Sequence, residues 1–310
     1  MNLLGAFPSL DNFNSLYKNS LKYYEVTWLT AHNAFASRGE GWLVYTQQYL
    51  NIEQMFSYGV RSFMIDIHYD GTTLSLCHGP CLLVIYQKGS LASPVLPYLN
   101  RVKKILDSDP STIITLHLED HSKNSSAILN LLERSGLKNM LLEENPNNDN
   151  ITLGYLRENN KRIIVFSDYK KEREDKYFEP KLGIFPTIFY KETVFGSTGF
   201  KICDERMNDF RASYNETDIR LLVHNHFSKV SIGSHEEANS YTTITNTVNP
   251  CLAKGLYPNF ITVDFVEEGK FGGARRIVED LMRIYANPND VQNLLGISIS
   301  ITEEAITNEL

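Results

Sequence analysis

The sequence predicts a single-domain α/β protein built as a (β/α)8 barrel, and three observations point there. Short apolar runs alternate with stretches of helical periodicity, the pattern of parallel βαβ units. The runs are apolar along most of their length, as strands are when helices cover one face and packed side chains fill the other. Several runs end in polar clusters: AHN, DIH, LED, FSD, HNH and VDF. A barrel gathers such ends around one mouth, whereas an open doubly wound sheet collects them at one or two switch points. The barrel is therefore preferred.

Taken in order, VTWLTAHNAF (26–35) reads as a strand. NIEQMFSYG (51–59) reads as a helix with a glycine stop, VRSFMIDIHYD (60–70) as a strand, and TTLSLCHG (72–79) alternates like a hairpin partner. SPVLPYLNRVKKILDSDP (93–110) is helical in period, and STIITLHLEDH (111–121) is a strand rich in β-branched residues. NSSAILNLLERSG (124–136) has an Asn or Ser cap and a glycine stop. KRIIVFSD (161–168), IRLLVHNHF (219–227) and NFITVDF (259–265) are further strands, and GGARRIVEDLMRIYAN (272–287) is an amphipathic helix. Between about 172 and 218 the pattern assigns no element.

At 310 residues with 42% hydrophobic side chains the chain has ample material for a core, and barrels of this size form one unit. A formal net charge of −7 argues against nucleic acid as a partner, because that affinity comes from clustered Lys and Arg. No apolar run is long enough to span a bilayer, and the N-terminus lacks the basic region and apolar core of a secretory leader. Cys77, Cys81, Cys203 and Cys251 have no second CxxC or histidine pair at zinc spacing. Four cysteines allow three connectivities, and the residues alone do not choose among them.

Singly, the polar groups at the strand ends have bland readings, since a lone histidine there is more often a satisfied polar group than a catalyst. Their coincidence changes that. His32, Asn33, Asp66, His78, Glu119 and Asp264 all fall at corresponding ends of expected strands or the adjoining hairpin.

Six segments then meet a family: AHNAFA (31–36), GVRSFMIDIHYDG (59–71), LCHG (76–79), IITLHLEDH (113–121), RIIVFSD (162–168) and PNFITVDF (258–265). In order and approximate spacing the chain resembles the X-type catalytic domains of phosphatidylinositol-specific phospholipases C and their plant, fungal and bacterial relatives. Those domains are distorted TIM barrels. The resemblance implies an N-terminal helical segment over 1–24, the barrel over 25–288 and a C-terminal extension over 289–310. It also implies cleavage of the glycerol–phosphate ester of an inositol phospholipid by attack of the substrate's own 2-hydroxyl. The products would be diacylglycerol and a cyclic inositol phosphate. By analogy His32 would take the hydroxyl proton, His78 would protonate the leaving oxygen, and Asp264 would fix the tautomer of His32.

Calcium-dependent members hold their ion with oxygen donors, and the matching positions here are Asn33, Asp66 and Glu119. A second acidic ligand of those enzymes is replaced by Met64, so modest affinity is expected and magnesium is an alternative cation. Arg61 lies early in its strand, which favours a structural ion pair over a phosphate clamp. Phe166 and Asp168 stand where phosphoinositide enzymes carry lysines, with Lys170 and Lys171 slightly later. An unphosphorylated inositol lipid or related anchor is therefore the expected substrate. Trp42, Leu43, Val44 and Tyr45 would dip into a membrane surface, unless that stretch packs as the first helix. One of His224, Asn225 and His226 is expected to line the pocket, His117 to be an inner-layer residue, and Glu192 to match an acidic position of plant-type relatives.

Exported plant-type relatives carry cysteines near these positions, compatible with bridges 77–81 and 203–251. The protein is thus expected to act as a monomer at a membrane surface, secreted or delivered outside its producing cell. Two alternatives remain. A glycerophosphodiester phosphodiesterase or phospholipase D-like barrel would normally carry Glu-x-Asp on the second strand, a motif broken by MID at 64–66. A silent lipid-binding module would have no use for both His32 and His78.

Overall fold

Ten strands form one sheet in the computed structural model, which describes residues 13–69, 73–78, 92–122, 124–168, 183–196, 203, 219–228 and 234–286. In chain order the strands are β1 (Trp28–Ala31), β2 (Ser62–Tyr69), β3 (Leu74–Cys77), β4 (Ala92–Pro94), β5 (Ile114–Asp120), β6 (Ile163–Ser167), β7 (Ile184–Pro186), β8 (Tyr190–Glu192), β9 (Leu221–His226) and β10 (Phe260–Val263). Eight of them pair in parallel in the order β7-β6-β5-β2-β1-β10-β9-β8. β3 and β4 form an antiparallel flap on β2. The sheet curls into a distorted (β/α)8 barrel, the expected class.

β7 and β8 end this path. They follow one another through the 3-10 turn Thr187–Phe189, yet no pairing joins them among the described residues. Aromatic rings bridge the seam instead: Phe166 lies edge-on to Tyr190 at 5.2 Å, and Phe185 meets Phe189 at 5.3 Å. The interior is filled as well. His117 faces Phe166 at 5.3 Å and Phe260 at 4.7 Å, so rings from three strands meet beneath the mouth.

The helices have local causes. α1 (Ile52–Tyr58) starts at Asn51, whose side chain accepts from the Gln54 N–H while Gln54 reaches back to the Asn51 N–H. It ends at Gly59, where φ is +118° and the freed N–H bonds to Met55 and Phe56 carbonyls. α2 (Val95–Ser108) and α3 (Ser125–Arg134) follow the expected periodicity. α4 (Leu153–Glu158), α5 (His235–Ala238) and α6 (Tyr241–Ala253) precede the final α7 (Gly273–Ala286). α6 is rich in Thr and Asn and contains Pro250, which hid it from a reading by apolar period. β7 and β8 escaped for a simpler reason: three residues are too few to show a period.

The barrel's N-terminal end is a stability face. Tyr17 stacks on Trp28 at 4.9 Å, and the Tyr23 hydroxyl bonds Thr115 at 2.6 Å. Arg61 is buried there, donating to the Phe56 and Val60 carbonyls and lying over the Phe56 ring at 3.9 Å. No carboxylate lies within ion-pair reach of it among the described residues, so the expected ion pair is replaced by carbonyl capping. Arg162 does the same before β6, donating to the Leu106 and Asp109 carbonyls. The stretch over 39–50 forms no α-helix; only the 3-10 turn Arg38–Glu40 is regular.

Cys203 and Cys251 are disulfide-bonded with Cα atoms 5.2 Å apart. Cys77 is also disulfide-bonded; Cys81, Lys170, Lys171, residues 1–12 and the stretch 289–310 lie outside the described residues.

Asn259 carries much of this face. It is fully buried, donates to the Tyr24 and Val26 carbonyls at 2.6 and 3.0 Å, and accepts from the Leu222 N–H at 2.9 Å. Asn259→Ala strands three buried backbone groups and is expected to cost about 2–4 kcal/mol in urea unfolding. A loss below about 0.5 kcal/mol, the size of an ordinary surface change, would contradict this account.

Candidate active site

Strand register builds the site. Ala31 of β1 lies opposite Val263 of β10, so the next residues, His32 and Asp264, leave the barrel side by side. His32 Nδ1 is 2.7 Å from Asp264 Oδ1. A carboxylate there selects the tautomer with the proton on Nδ1 and leaves Nε2 as the free acceptor. The strand ends are held from outside. Gln48 donates to the His32 and Val263 carbonyls at 2.7 and 3.1 Å, and Asn239 donates to the carbonyls of Asp264 and Phe265. Phe227 stacks on the His32 ring at 3.6 Å with the planes 8° apart, and Phe195 backs Phe227 at 5.2 Å.

Asn33 follows in the left-handed region at φ +43°, a conformation that Asn tolerates better than most residues. It is buried, and its Oδ1 has no hydrogen-bond partner. That is an orphaned acceptor at the base of the site, which native structures rarely leave without a purpose.

A second row crosses the neighbouring strands. Asp66 of β2 is in register with Glu119 of β5, and Leu118 with Ser167 of β6, which sets Glu119 beside Asp168. Asp66 is only 6% exposed. Burial pushes its carboxyl well above the usual carboxylate range, and the charges of Glu119 and Asp168 push the same way. Asp168 is also raised, chiefly by burial, although the Asp120 N–H donates to it at 2.7 Å. Glu119 is half exposed and lies 3.1 Å from His121 Nε2. His68 stacks on His121 at 4.3 Å and is pushed down to about 4 by burial and by that neighbour.

His78 arrives from the flap. It follows β3, and its Nδ1 points to the Tyr45 carbonyl at 3.2 Å. That contact leaves Nε2 to face outward. Burial holds its imidazole below the ordinary value, and the nearby His32 acts in the same direction.

These groups share one cavity of about 520 Å³. His32, His78, Asn33, Asp66 and Glu119 all line it, and Asp264 stands behind His32. Met64 and His117 form part of its floor, and burial pushes His117 down to about 3. Glu192 lines the far wall and accepts from Asn225 Nδ2 at 2.7 Å. No lysine or arginine lines the cavity among the described residues. Among the described residues no three of its carboxylates and imidazoles converge into a finished coordination shell there. The donor set nevertheless fits a hard cation: clustered carboxylates that repel one another beside an orphaned amide oxygen.

Several expectations are corrected. None of His224, Asn225 and His226 lines the cavity: both histidines bond to Thr247 of α6, and Asn225 holds Glu192 from behind. Trp42 is 2% exposed and packs edge-on to Phe35 at 5.4 Å, so it is a core residue with no part in a surface. Leu43, Val44 and Tyr45 are exposed as expected, at 74%, 50% and 60%. Asp168 and Phe227 were missed as site residues, although each follows a strand recognised in the sequence.

A barrel of this topology, with an Asp-backed histidine, a second histidine and an acidic row at one mouth, has the fold of phospholipase C-like phosphodiesterases. The chain belongs to the PI-PLC X family: the family model described as PI-PLC X 1 matches residues 19–279. It is 23% identical over 279 residues to a PI-PLC X domain-containing protein of Arabidopsis thaliana, covering 84% of this chain and 62% of that one. The chain thus spans less than two thirds of that relative's length. It is 25% identical over 285 residues to PI-PLC X domain-containing protein 1 of Arthroderma benhamiae, covering 84% and 86%. In solved structures the fold is similar to a variant of the Staphylococcus aureus phosphatidylinositol-specific phospholipase C, with TM-score 0.52, 16% identity and coverage of 88% and 97%. It is also similar to the Listeria monocytogenes phosphatidylinositol-specific phospholipase C, with TM-score 0.51, 13% identity and coverage of 86% and 95%. At these identities the structural likeness establishes the fold.

Asp66 supplies a stability test. Its folded-state value lies above its ordinary one, so its penalty is absent at low pH and appears as pH rises through the raised value. In chelator, Asp66→Asn is therefore expected to raise the melting temperature at about pH 8 and to leave it unchanged below about pH 4. A variant that melts lower at about pH 8 would show that the carboxylate is not electrostatically strained.

Proposed function

We propose that the protein cleaves the glycerol–phosphate ester of phosphatidylinositol or a closely related inositol lipid, as a phospholipase C-type phosphodiesterase. The observation that carries this reading is the cavity wall. It holds two half-buried imidazoles with free Nε2 atoms and a row of carboxylates, without a lysine or arginine among the described residues. Such a wall has proton acceptors and donors for acid–base work, and no protein nucleophile is needed when the substrate supplies its own hydroxyl.

The ring 2-hydroxyl attacks phosphorus, forming the O2–P bond of a cyclic phosphodiester as the P–O bond to glycerol breaks. His32 Nε2 takes the hydroxyl proton, with Asp264 holding Nδ1 and Phe227 stacked on the ring to fix its orientation. His78 gives a proton to the departing glycerol oxygen. Burial lowers its affinity for that proton in the free protein, and a phosphate anion between the two rings raises it on binding. Asn33, Asp66 and Glu119, with Asp168 beside them, would hold calcium, or magnesium in its place. When bound, such an ion offsets phosphate charge and makes the attacking hydroxyl more acidic.

The acidic wall also bears on the head group. Ring phosphates would meet Asp66, Glu119, Asp168 and Glu192 with no cationic side chain to receive them, so an unphosphorylated ring is favoured. A membrane surface is the natural partner. Leu43, Val44, Tyr45, Tyr69 and Phe271 are exposed, and all five belong to segments at the C-terminal side of the strands. With a net charge of −7, adsorption would rest on apolar insertion more than on anionic lipid. No helix among the described residues is long and apolar enough to cross a membrane. The Cys203–Cys251 bridge favours an oxidising compartment outside the producing cell.

Two measurements test this reading. Incubation with phosphatidylinositol vesicles is expected to release a cyclic inositol phosphodiester, visible by phosphorus NMR, with rates reduced by chelator and lower on the bisphosphate lipid. An open-chain glycerophosphate product, faster turnover of the bisphosphate lipid or no turnover at all would refute it. Separately, the double variant Leu43→Ser, Val44→Ser is expected to weaken adsorption to zwitterionic vesicles at least about tenfold, from the apolar area withheld from lipid. Unchanged partitioning in a sedimentation assay would remove the rim from the account.

A further inference from the structure

We propose that Gln47 is a positioning residue that fixes the Asp264 carboxylate behind His32, and that its loop sets the base and the acid in register. The inference rests on the roles read above for His32 and His78.

Trp42 anchors the start of the loop in the core. At the other end the Gln47 N–H donates to the Ala36 carbonyl at 2.7 Å, and the Gln47 carbonyl accepts from the Phe265 N–H at 2.8 Å. Gln48 is fully buried, holding the carbonyls of His32 and Val263. The backbone is pinned on both sides of the two residues that matter.

The first is Tyr45. Its left-handed backbone, at φ +53°, turns the carbonyl towards His78 Nδ1. The second is Gln47. With its amide nitrogen turned to the carboxylate, it donates to Asp264 Oδ1 at 2.7 Å and Oδ2 at 2.8 Å. The opposite orientation would press an amide oxygen against both carboxylate oxygens, so the hydrogen bonds select this one. Asp264 Oδ1 then serves His32 and Gln47 together, while Oδ2 has Gln47.

A carboxylate held by a single N–H turns freely about its last bond. A second donor that bridges both oxygens sets its plane, and hydrogen bonds to a charged acceptor are the stronger kind. Gln47 lines the same cavity, and its two hydrogen bonds are spent on Asp264, so it acts on the proton transfer through that carboxylate. Two residues earlier the same loop fixes the tautomer of His78. One short segment thus addresses both the group proposed to take the proton and the group proposed to give it.

The test uses the full chain with a monomeric short-chain inositol phospholipid, together with proton NMR of the free protein. Gln47→Met keeps size and removes both hydrogen bonds. It is expected to lower kcat about 10- to 100-fold with KM changed less than about threefold, as loss of a charge-assisted hydrogen bond predicts. The downfield Nδ1–H signal of His32, assigned by its loss in Asp264→Asn, is expected to move or broaden in Gln47→Met. Gln47→Glu matches the native shape but sets one carboxylate against another. It is expected to be less active than Gln47→Met at about pH 8 and to recover towards about pH 5, where the new carboxyl binds a proton and can donate it.

A folded Gln47→Met with kcat within about twofold of wild type and an unmoved signal would overturn the proposal. So would a Gln47→Glu variant as active as Gln47→Met at both pH values. Should Gln47→Met fail to fold, the pH reversal within Gln47→Glu decides alone. Should the wild-type chain turn over no inositol lipid, the functional reading fails, while the proton signal still decides the role of Gln47.

Discussion

In-register parallel pairing is the constraint on which the site depends. β10 against β1 brings Asp264 to His32, and β2 against β5 against β6 brings Asp66, Glu119 and Asp168 into one row. Side chains alternate along a strand, so a slip of one residue in either pairing would turn a whole row to the opposite face. The register is in turn fixed by the core. Met64, His117, Phe166 and Phe185 are partners across four neighbouring strands, and the rings among them fill the interior below the mouth. A polar layer can sit precariously at the rim because an apolar layer one step down leaves the strands little freedom to shift.

Charge is distributed along the barrel axis with the same logic. Arg61 and Arg162 sit at the N-terminal end, spent on main-chain carbonyls that would otherwise end the strands without partners. The other end has carboxylates and imidazoles, with no lysine or arginine in the cavity wall among the described residues. Burial and mutual repulsion both work against ionisation of Asp66, and the structure accepts that cost instead of relieving it with a lysine. A buried, unneutralised acid is a poor stability device. On the proposed reading it would become favourable when a cation arrives, and the unpartnered Asn33 oxygen that lines the same cavity would belong to the same arrangement.

Much of this was legible in the sequence, and the exceptions have physical causes. Long apolar runs announced β1, β2, β5, β6, β9 and β10, and their polar ends named His32, Asn33, Asp66, Glu119 and Asp264 because strand ends share a mouth in a barrel. Which face a terminal residue takes was less visible. His224 and His226 are two apart on β9 and so share a face, but it is the outer one, against Thr247. Asn225 between them points inward and supports Glu192, a partnership across 33 residues that no local pattern reports. Asp168 was judged by the lysine it replaces, which hid the acid it adds to the row. For Trp42 the composition allowed both an interfacial anchor and a packed residue; it is packed, and only its neighbours reach solvent. Loops lack the periodicity that fixes orientation in strands and helices, so the sequence marks their chemistry more reliably than their direction.

The segment after β1 shows why that loss of direction matters for function. Its buried residues, Trp42 and Gln48, fasten it to the barrel, and its exposed ones, Leu43, Val44 and Tyr45, look outward from the same rim. Rigid elements hold a site more accurately than loops do, yet a lipid, as proposed for this site, would have to be met by something that projects. Here a few residues of chain do both, with backbone hydrogen bonds at 36–37 and 265, and one from the Val266 N–H to the Gln48 side chain, limiting how far the projecting tip can carry the polar groups with it. The polar mouth and its apolar lip are therefore parts of one mechanical unit. The proposed substrate, with a polar ring and two acyl chains, would match that unit end to end, because its own division between water and membrane would fall where the protein's does.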